Sequence, residues 1–224
     1  MSRWGRAFYV ATRSLLRRTP LNELVRRSRD GKAARDWRRR AYRDPVPPFV
    51  KTATILEYAR RFELTGFVET GTYLGDTTAF CAPYFEELTT IELDGRLADA
   101  ARLRFADEPK VTVLEGDSGE LIYGVVERLE QPTLFWLDAH YSAGVTARGQ
   151  RETPIVAELE SILHRPQTGH VILIDDADCF GSWPDYPDPD RLEEAVASLA
   201  PGHRLYRGAN IFRIHAPDGD RKGN

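Results

Sequence analysis

The sequence predicts an α/β domain built on a mostly parallel sheet. Strand-like and helix-like segments alternate from Phe49 onward, which calls for parallel strands joined by right-handed crossovers. Strands such as "VILI" (171–174) are apolar without a break, as strands buried on both faces must be. A strand-to-strand link of about two residues occurs near Gly208, and a link that short forces an antiparallel hairpin at the end of the chain.

The elements follow in order. "PFVKTATILEYARRF" reads as a helix, with Ile55, Leu56, Ala59 and Phe62 on one face. "GFVETG" is a strand and "DTTAFCAPYF" a helix; "ELTTIEL" is a strand and "GRLADAARLRFA" a helix. "KVTVLEG" and "SGELIYGVVERL" repeat the pair, as do "TLFWLDAH" with "TPIVAELESILH" and "HVILIDDA" with "DRLEEAVASLA". "HRLYRG" and "NIFRIHA" supply the hairpin, giving seven strands in all. Helices are expected on both faces of the sheet.

At 224 residues with 42% hydrophobic residues, the chain has material for one domain with a large core plus an extension. The net charge of −3 conceals a split. Residues 1–44 hold 14 Lys/Arg against 4 Asp/Glu, and the remainder holds 17 against 30. The reading is therefore an arm and Pro-rich linker (1–48), a domain (49–216) and a polar tail (217–224). In the arm, Trp4, Phe8, Ala11 and Leu15 recur at helical spacing with Arg6, Arg13 and Arg17 opposite. Such a basic amphipathic helix suits an anionic membrane surface or a groove on a second subunit. It equally suits packing on its own domain. Liposome flotation with and without residues 1–44 discriminates the surface from the others. No nucleic-acid motif accompanies the charge, which argues against that partner. Cys81 and Cys179 form no disulfide framework or zinc set. Arginines interrupt every apolar stretch near the N-terminus, and no run approaches a membrane span. A cytoplasmic protein, peripheral to the membrane if the arm binds lipid, is the expectation.

In an open parallel sheet a ligand sits beyond the carboxyl ends of the strands. Five consecutive strands end here in acid: Glu69 with Gly71; Glu92 and Asp94; Asp117 and Ser118; Asp138 and His140; Asp175 and Asp176. The first turn, "ETGTYLGDT", runs Glu69, Gly71, Thr72, Gly75, Asp76, Thr77. It lacks the third glycine of a dinucleotide turn, and its acids would repel a pyrophosphate. A nucleoside carrying a sulfonium and an ammonium, S-adenosylmethionine, fits carboxylates instead. Glu92 ends the second strand, where a carboxylate accepts both ribose hydroxyls. Asp117 and Ser118 are placed to read the adenine edge.

From Phe49 to Ala216 the chain resembles the class I S-adenosylmethionine-dependent methyltransferases, on "VETGTYLGDTT", "TTIELD", "LEGDS", "FWLDAH" and "VILIDD". The resemblance implies a Rossmann-like seven-stranded sheet with its last strand antiparallel. It also implies that Glu69, Gly71, Thr72, Gly75, Thr77, Glu92, Asp117 and Ser118 form the cofactor site. Within the class, "TIEL", "LDAH" and "LIDDA" look like the metal-dependent O-methyltransferases of the catechol and macrolide-sugar types. In those families one aspartate after the fourth strand and an acidic pair after the fifth hold magnesium; the matching residues are Asp138, Asp175 and Asp176. The catechol-type enzymes carry a lysine base just past that first aspartate. Tyr141, Ser142 and Ala143 stand there instead, which leaves the base open; His140, with Asp138 beside it on the rim, is the candidate. His140 is otherwise a ligand-contacting residue. The acceptor implied is a small hydroxylated molecule, a sugar or secondary metabolite. Metal-free methyl transfer and a non-catalytic cofactor-binding partner remain alternatives. "YSAGVTARGQRET" and "CFGSWPDYPDPD", with Trp183 and Tyr186, are candidate substrate walls or plain surface connections.

Overall fold

The computed structural model describes residues 31–39, 46–138, 154–165, 168–183 and 186–217. A helix α1 covers 31–39. The domain then runs α2 (Pro48–Arg61), β1 (Gly66–Thr70), α3 (Asp76–Cys81), β2 (Glu87–Glu92), α4 (Gly95–Arg104) and β3 (Val111–Glu115). It continues with α5 (Ser118–Val126), β4 (Thr133–Leu137), α6 (Ile155–Leu163), β5 (Val171–Ile174), α7 (Pro189–Leu199), β6 (Arg204–Gly208) and β7 (Ile211–His215). The expected helix over 76–85 is shorter. It breaks after Cys81 into a 3-10 turn at Ala82–Tyr84, because Pro83 cannot donate to an α-helical ladder.

The strands form one sheet in the order β3-β2-β1-β4-β5-β7-β6. Neighbours from β3 to β5 pair in parallel, whereas β7 is antiparallel to both β5 and β6. β7 alone therefore runs against the sheet. The hairpin that permits this turns at Ala209 and Asn210, both at positive φ (47° and 59°). Those are the signs a type I′ turn needs, and they match the twist of the flanking strands. β6 is left at the edge, where exposed Arg204, Tyr206 and Arg207 discourage pairing with another chain.

Strict alternation sorts the apolar side chains into two layers. Leu134 and Trp136 of β4, Val171 and Leu173 of β5 and Phe67 of β1 meet Ile55, Tyr58 and Ala59 of α2 on one face. Phe135, Leu137, Ile172, Ile174 and Val68 meet Ile122, Leu159, Ile162 and Val196 of α5, α6 and α7 on the other. β1, β4 and β5 are buried throughout, as the unbroken apolar sequence of β5 predicts for that strand. The chain leaves β1 toward β2 and β4 toward β5, in opposite directions. The carboxyl ends of β1 and β4 thus border the crevice at which open α/β sheets take ligands. Among the described residues no helix is long and apolar enough to cross a membrane.

Candidate active site

The turn after β1 is held at backbone level. The Gly71 and Thr72 amides donate to the Ile91 carbonyl at 3.0 and 3.3 Å, and the Gly75 amide to Thr72 at 2.7 Å. Gly71 has φ +84°, and a Cβ there would lie 2.2 Å from the Asp138 carbonyl oxygen. The first and fourth strand ends approach this closely because the residue is glycine. Gly75, at φ +72°, lies under the Phe105 ring.

The acids of this turn do not all face the crevice. Glu69 is buried and accepts from the hydroxyls of Thr78 and Thr90, the latter at 2.8 Å. Thr72 and Thr90 share a further hydroxyl contact at 2.5 Å. Burial pushes the Glu69 carboxyl up to about 7, against the pull of the Thr78, Thr90 and Thr77 hydroxyls. Asp76 pairs with Arg104 at 2.9 Å, and the same guanidinium caps the Leu74 carbonyl. The turn is therefore braced from below by threonines and from the side by α4.

Glu92 spans two loops. One oxygen accepts from the Tyr73 amide at 2.7 Å and the other from Asp94 at 2.9 Å. It is almost wholly enclosed, and each oxygen retains a lone pair for a hydroxyl. Asp94 caps α4, accepting from Arg96 and Leu97; the Arg96 side chain holds its carboxyl below the usual range. Asp117 caps α5 through the Gly119 amide at 2.9 Å, with Ser118 as the first helical residue.

Behind Ser118 lies a group the sequence reading passed over. Glu158 of α6 is fully buried. The Ser118 and Thr70 hydroxyls stand beside it, yet neither carboxyl oxygen makes a hydrogen bond of ordinary geometry among the described residues. Its sequence signal was present: Ile155, Glu158, Leu159 and Ile162 fall on one buried helical face, and an acid there is anomalous. Burial pushes its carboxyl from 4.5 to about 7. A carboxyl raised in the fold stabilises fully below about 4.5, and that contribution is lost as pH climbs through about 7. The cost by pH 8 is on the order of 3 kcal/mol. Glu158→Gln should therefore raise Tm at pH 8 and have little effect at pH 4.5. Parallel Tm-versus-pH curves for the two proteins would contradict this.

At the other end of the crevice, Asp138, Asp175 and Asp176 each offer a carboxylate oxygen within 4.8 Å of one another. β4 and β5 end side by side, so Asp138 follows Leu137 and Asp175 follows Ile174 on paired strands. Asp175 is buried, and its Oδ1 accepts the Asp176 amide at 2.8 Å. Asp176 takes φ +51°, a left-handed conformation that aspartate tolerates. Asp138 keeps some accessible surface, but its carboxyl is densely surrounded. Burial, then Asp175, hold it well above the usual range, with Lys51 pulling the other way. Burial likewise raises Asp175 to about 6 against the same lysine. Three hard oxygen donors gathered in this way are compatible with a divalent cation.

Lys51 is the second residue that the sequence did not single out. It sits in the first turn of α2, and its ammonium donates to Asp175 Oδ2 and lies 3.5 Å from Asp176 Oδ1. Burial lowers its affinity for a proton, but the acids around it prevail and raise it overall. Nothing in the α2 sequence marks Lys51 apart from any other helical lysine.

His140 and the segment 141–153 lie outside the described residues. Of the second candidate wall, Trp183 is 54% exposed, while Tyr186 packs edge-on against Phe180 at 5.1 Å. The residues predicted for the cofactor and the acidic triad thus lie along the carboxyl ends of the parallel strands.

No family model and no curated protein matches the sequence. Solved structures do match the fold. The O-methyltransferase TomG from Streptomyces achromogenes, involved in tomaymycin synthesis and bound to S-adenosylmethionine, is 20% identical with a TM-score of 0.53, covering 84% of this chain and 89% of that one. An O-methyltransferase from Bacillus cereus, in complex with S-adenosylhomocysteine, is 18% identical with a TM-score of 0.53, covering 83% and 89%. The Podospora anserina methyltransferase PaMTH1, also bound to S-adenosylhomocysteine, is 17% identical at the same TM-score, covering 83% and 88%. With its strand order, its glycine turn after β1 and the reversed last strand, the chain has the class I S-adenosylmethionine-dependent methyltransferase fold.

Proposed function

We propose that this protein transfers a methyl group from S-adenosylmethionine to a hydroxyl of a small acceptor, a sugar or secondary metabolite, with magnesium at the acidic triad. The observation that carries the reading is the placement of the three carboxylates within 4.8 Å of one another, at the same carboxyl ends of the strands as the Gly71 turn.

In this reading the backbone of Gly71, Thr72 and Gly75, with the Thr77 hydroxyl, binds the amino-acid end of the cofactor. Glu69 sets the negative potential beneath it and Glu92 takes the ribose. Asp117 and Ser118 meet the adenine. The acceptor oxygen attacks the methyl carbon in line, the carbon–sulfur bond breaks, and S-adenosylhomocysteine leaves. The hydroxyl proton passes to His140. When bound by Asp138, Asp175 and Asp176, magnesium supplies Lewis acidity that lowers the pKa of the acceptor hydroxyl. Alignment by the protein contributes on the order of 7–11 kcal/mol to the barrier reduction.

Calorimetry with S-adenosylmethionine should give saturable binding, and mass spectrometry on a panel of catechols and sugars should reveal a methylated product that EDTA suppresses. No binding of the cofactor would sink the proposal. Full activity in EDTA would leave methyl transfer standing and remove the metal, the reading to which the Lys51 ammonium lends support.

A further inference from the structure

We infer that Lys51 is a tethered cation that competes with a divalent metal for the acidic triad, so that metal entry requires its ammonium to leave. This rests on the metal reading above.

The competition follows from which oxygens are engaged. Asp175 spends Oδ1 on the Asp176 amide at 2.8 Å, which leaves Oδ2 as its better metal donor. Lys51 holds that oxygen and lies 3.5 Å from Asp176 Oδ1. Magnesium binds carboxylate oxygens at about 2.0–2.1 Å and demands near-octahedral geometry. An ammonium on the same oxygens would stand within a few ångströms of the metal, and two cations that close in a partly enclosed site repel strongly. Both cannot occupy the triad.

The side chain is suited to exchange. Asp175 is 1% exposed, but the Lys51 side chain is 29% exposed and has a route to water. A lysine is a flexible stem with a compact charge, so it can swing out at little cost in packing. While it is in, it neutralises one of three carboxylates that could not otherwise all stay ionised so close together. The triad is thereby held in shape before any metal arrives.

The test uses manganous ion, which shares magnesium's oxygen ligands and is read by electron paramagnetic resonance, with cofactor and acceptor absent. Lys51→Met should bind Mn²⁺ at least tenfold more tightly than wild type, and Lys51→Arg, which keeps the charge, should stay within about threefold of wild type. Equal affinity in Lys51→Met and wild type, or a weaker Lys51→Met, overturns the competition, because the lysine would then be neutral to the metal or support it. Binding by neither protein overturns the competition together with the metal reading; equal binding by both overturns the competition alone. A second measurement needs no variant. Saturating Mn²⁺ should speed amine acylation of Lys51 at least threefold relative to Lys110, whose ammonium caps the Phe85 carbonyl elsewhere. An unchanged or slower rate contradicts the proposal.

Discussion

Gly71→Ala should cost about 2–5 kcal/mol of stability, a large share of the roughly 5–15 kcal/mol that holds a domain together. Two penalties combine. The left-handed backbone at φ +84° disfavours any Cβ by roughly 1–2 kcal/mol. The Cβ would also sit 2.2 Å from a backbone carbonyl, that of Asp138, which cannot swing aside as a side chain can. Relief requires the β1 and β4 ends to part, and parting them displaces Asp138 from the triad. Urea unfolding is the measurement, with Gly75→Ala as comparison. At Gly75 the φ is similar, but the contact is a Phe105 ring at 3.0 Å, a neighbour with some freedom. The Gly71 variant should be the less stable of the two, and a loss under about 0.5 kcal/mol would show that the strand ends are not locked together.

Asp138→Asn should lower kcat/KM on the order of 10³-fold with the best acceptor from the screen, about 4 kcal/mol of transition-state stabilisation. The amide keeps the size of the side chain and removes its charge. It also weakens Mn²⁺ binding, because one of three anionic donors becomes a neutral one. Asp178→Asn is the control. Asp178 stands three residues beyond Asp175 but exchanges hydrogen bonds with Asn210 at 2.7 Å, outside the triad. It should keep activity within about threefold. Equal losses at Asp138 and Asp178 would mean that general disturbance of the strand-end loops, rather than the triad, is being measured.

How much of this was readable depended on the range of the interaction. The alternation of elements, the buried central strands and the terminal hairpin follow from local pattern, and the structure has them. The rim acids were legible because a strand end is a local event and the topology gathers strand ends. Direction was not legible. Glu69 lies one residue before the crevice, but the pleat turns it down onto Thr78 and Thr90, 9 and 21 residues away. Asp76 is claimed by Arg104, 28 residues on. Lys51 reaches Asp175 across 124 residues, a distance at which no periodicity gives warning. Glu158 differs in kind: its anomaly was local, an acid on an apolar helical face, and could have been found.

The rim also has a temporal side. Its side chains come from positions as far apart as Lys51 and Asp176, and the strands between them pair non-locally, Gly66 with Thr133 and Leu134 with Val171. Closing such loops costs entropy that is recovered only when the whole sheet is in place. No shorter stretch of chain carries the rim, so it exists only in the finished fold. Any ligand it takes therefore binds the native state alone and raises the stability of the entire domain, by about 2.7 kcal/mol at a hundred times its Kd.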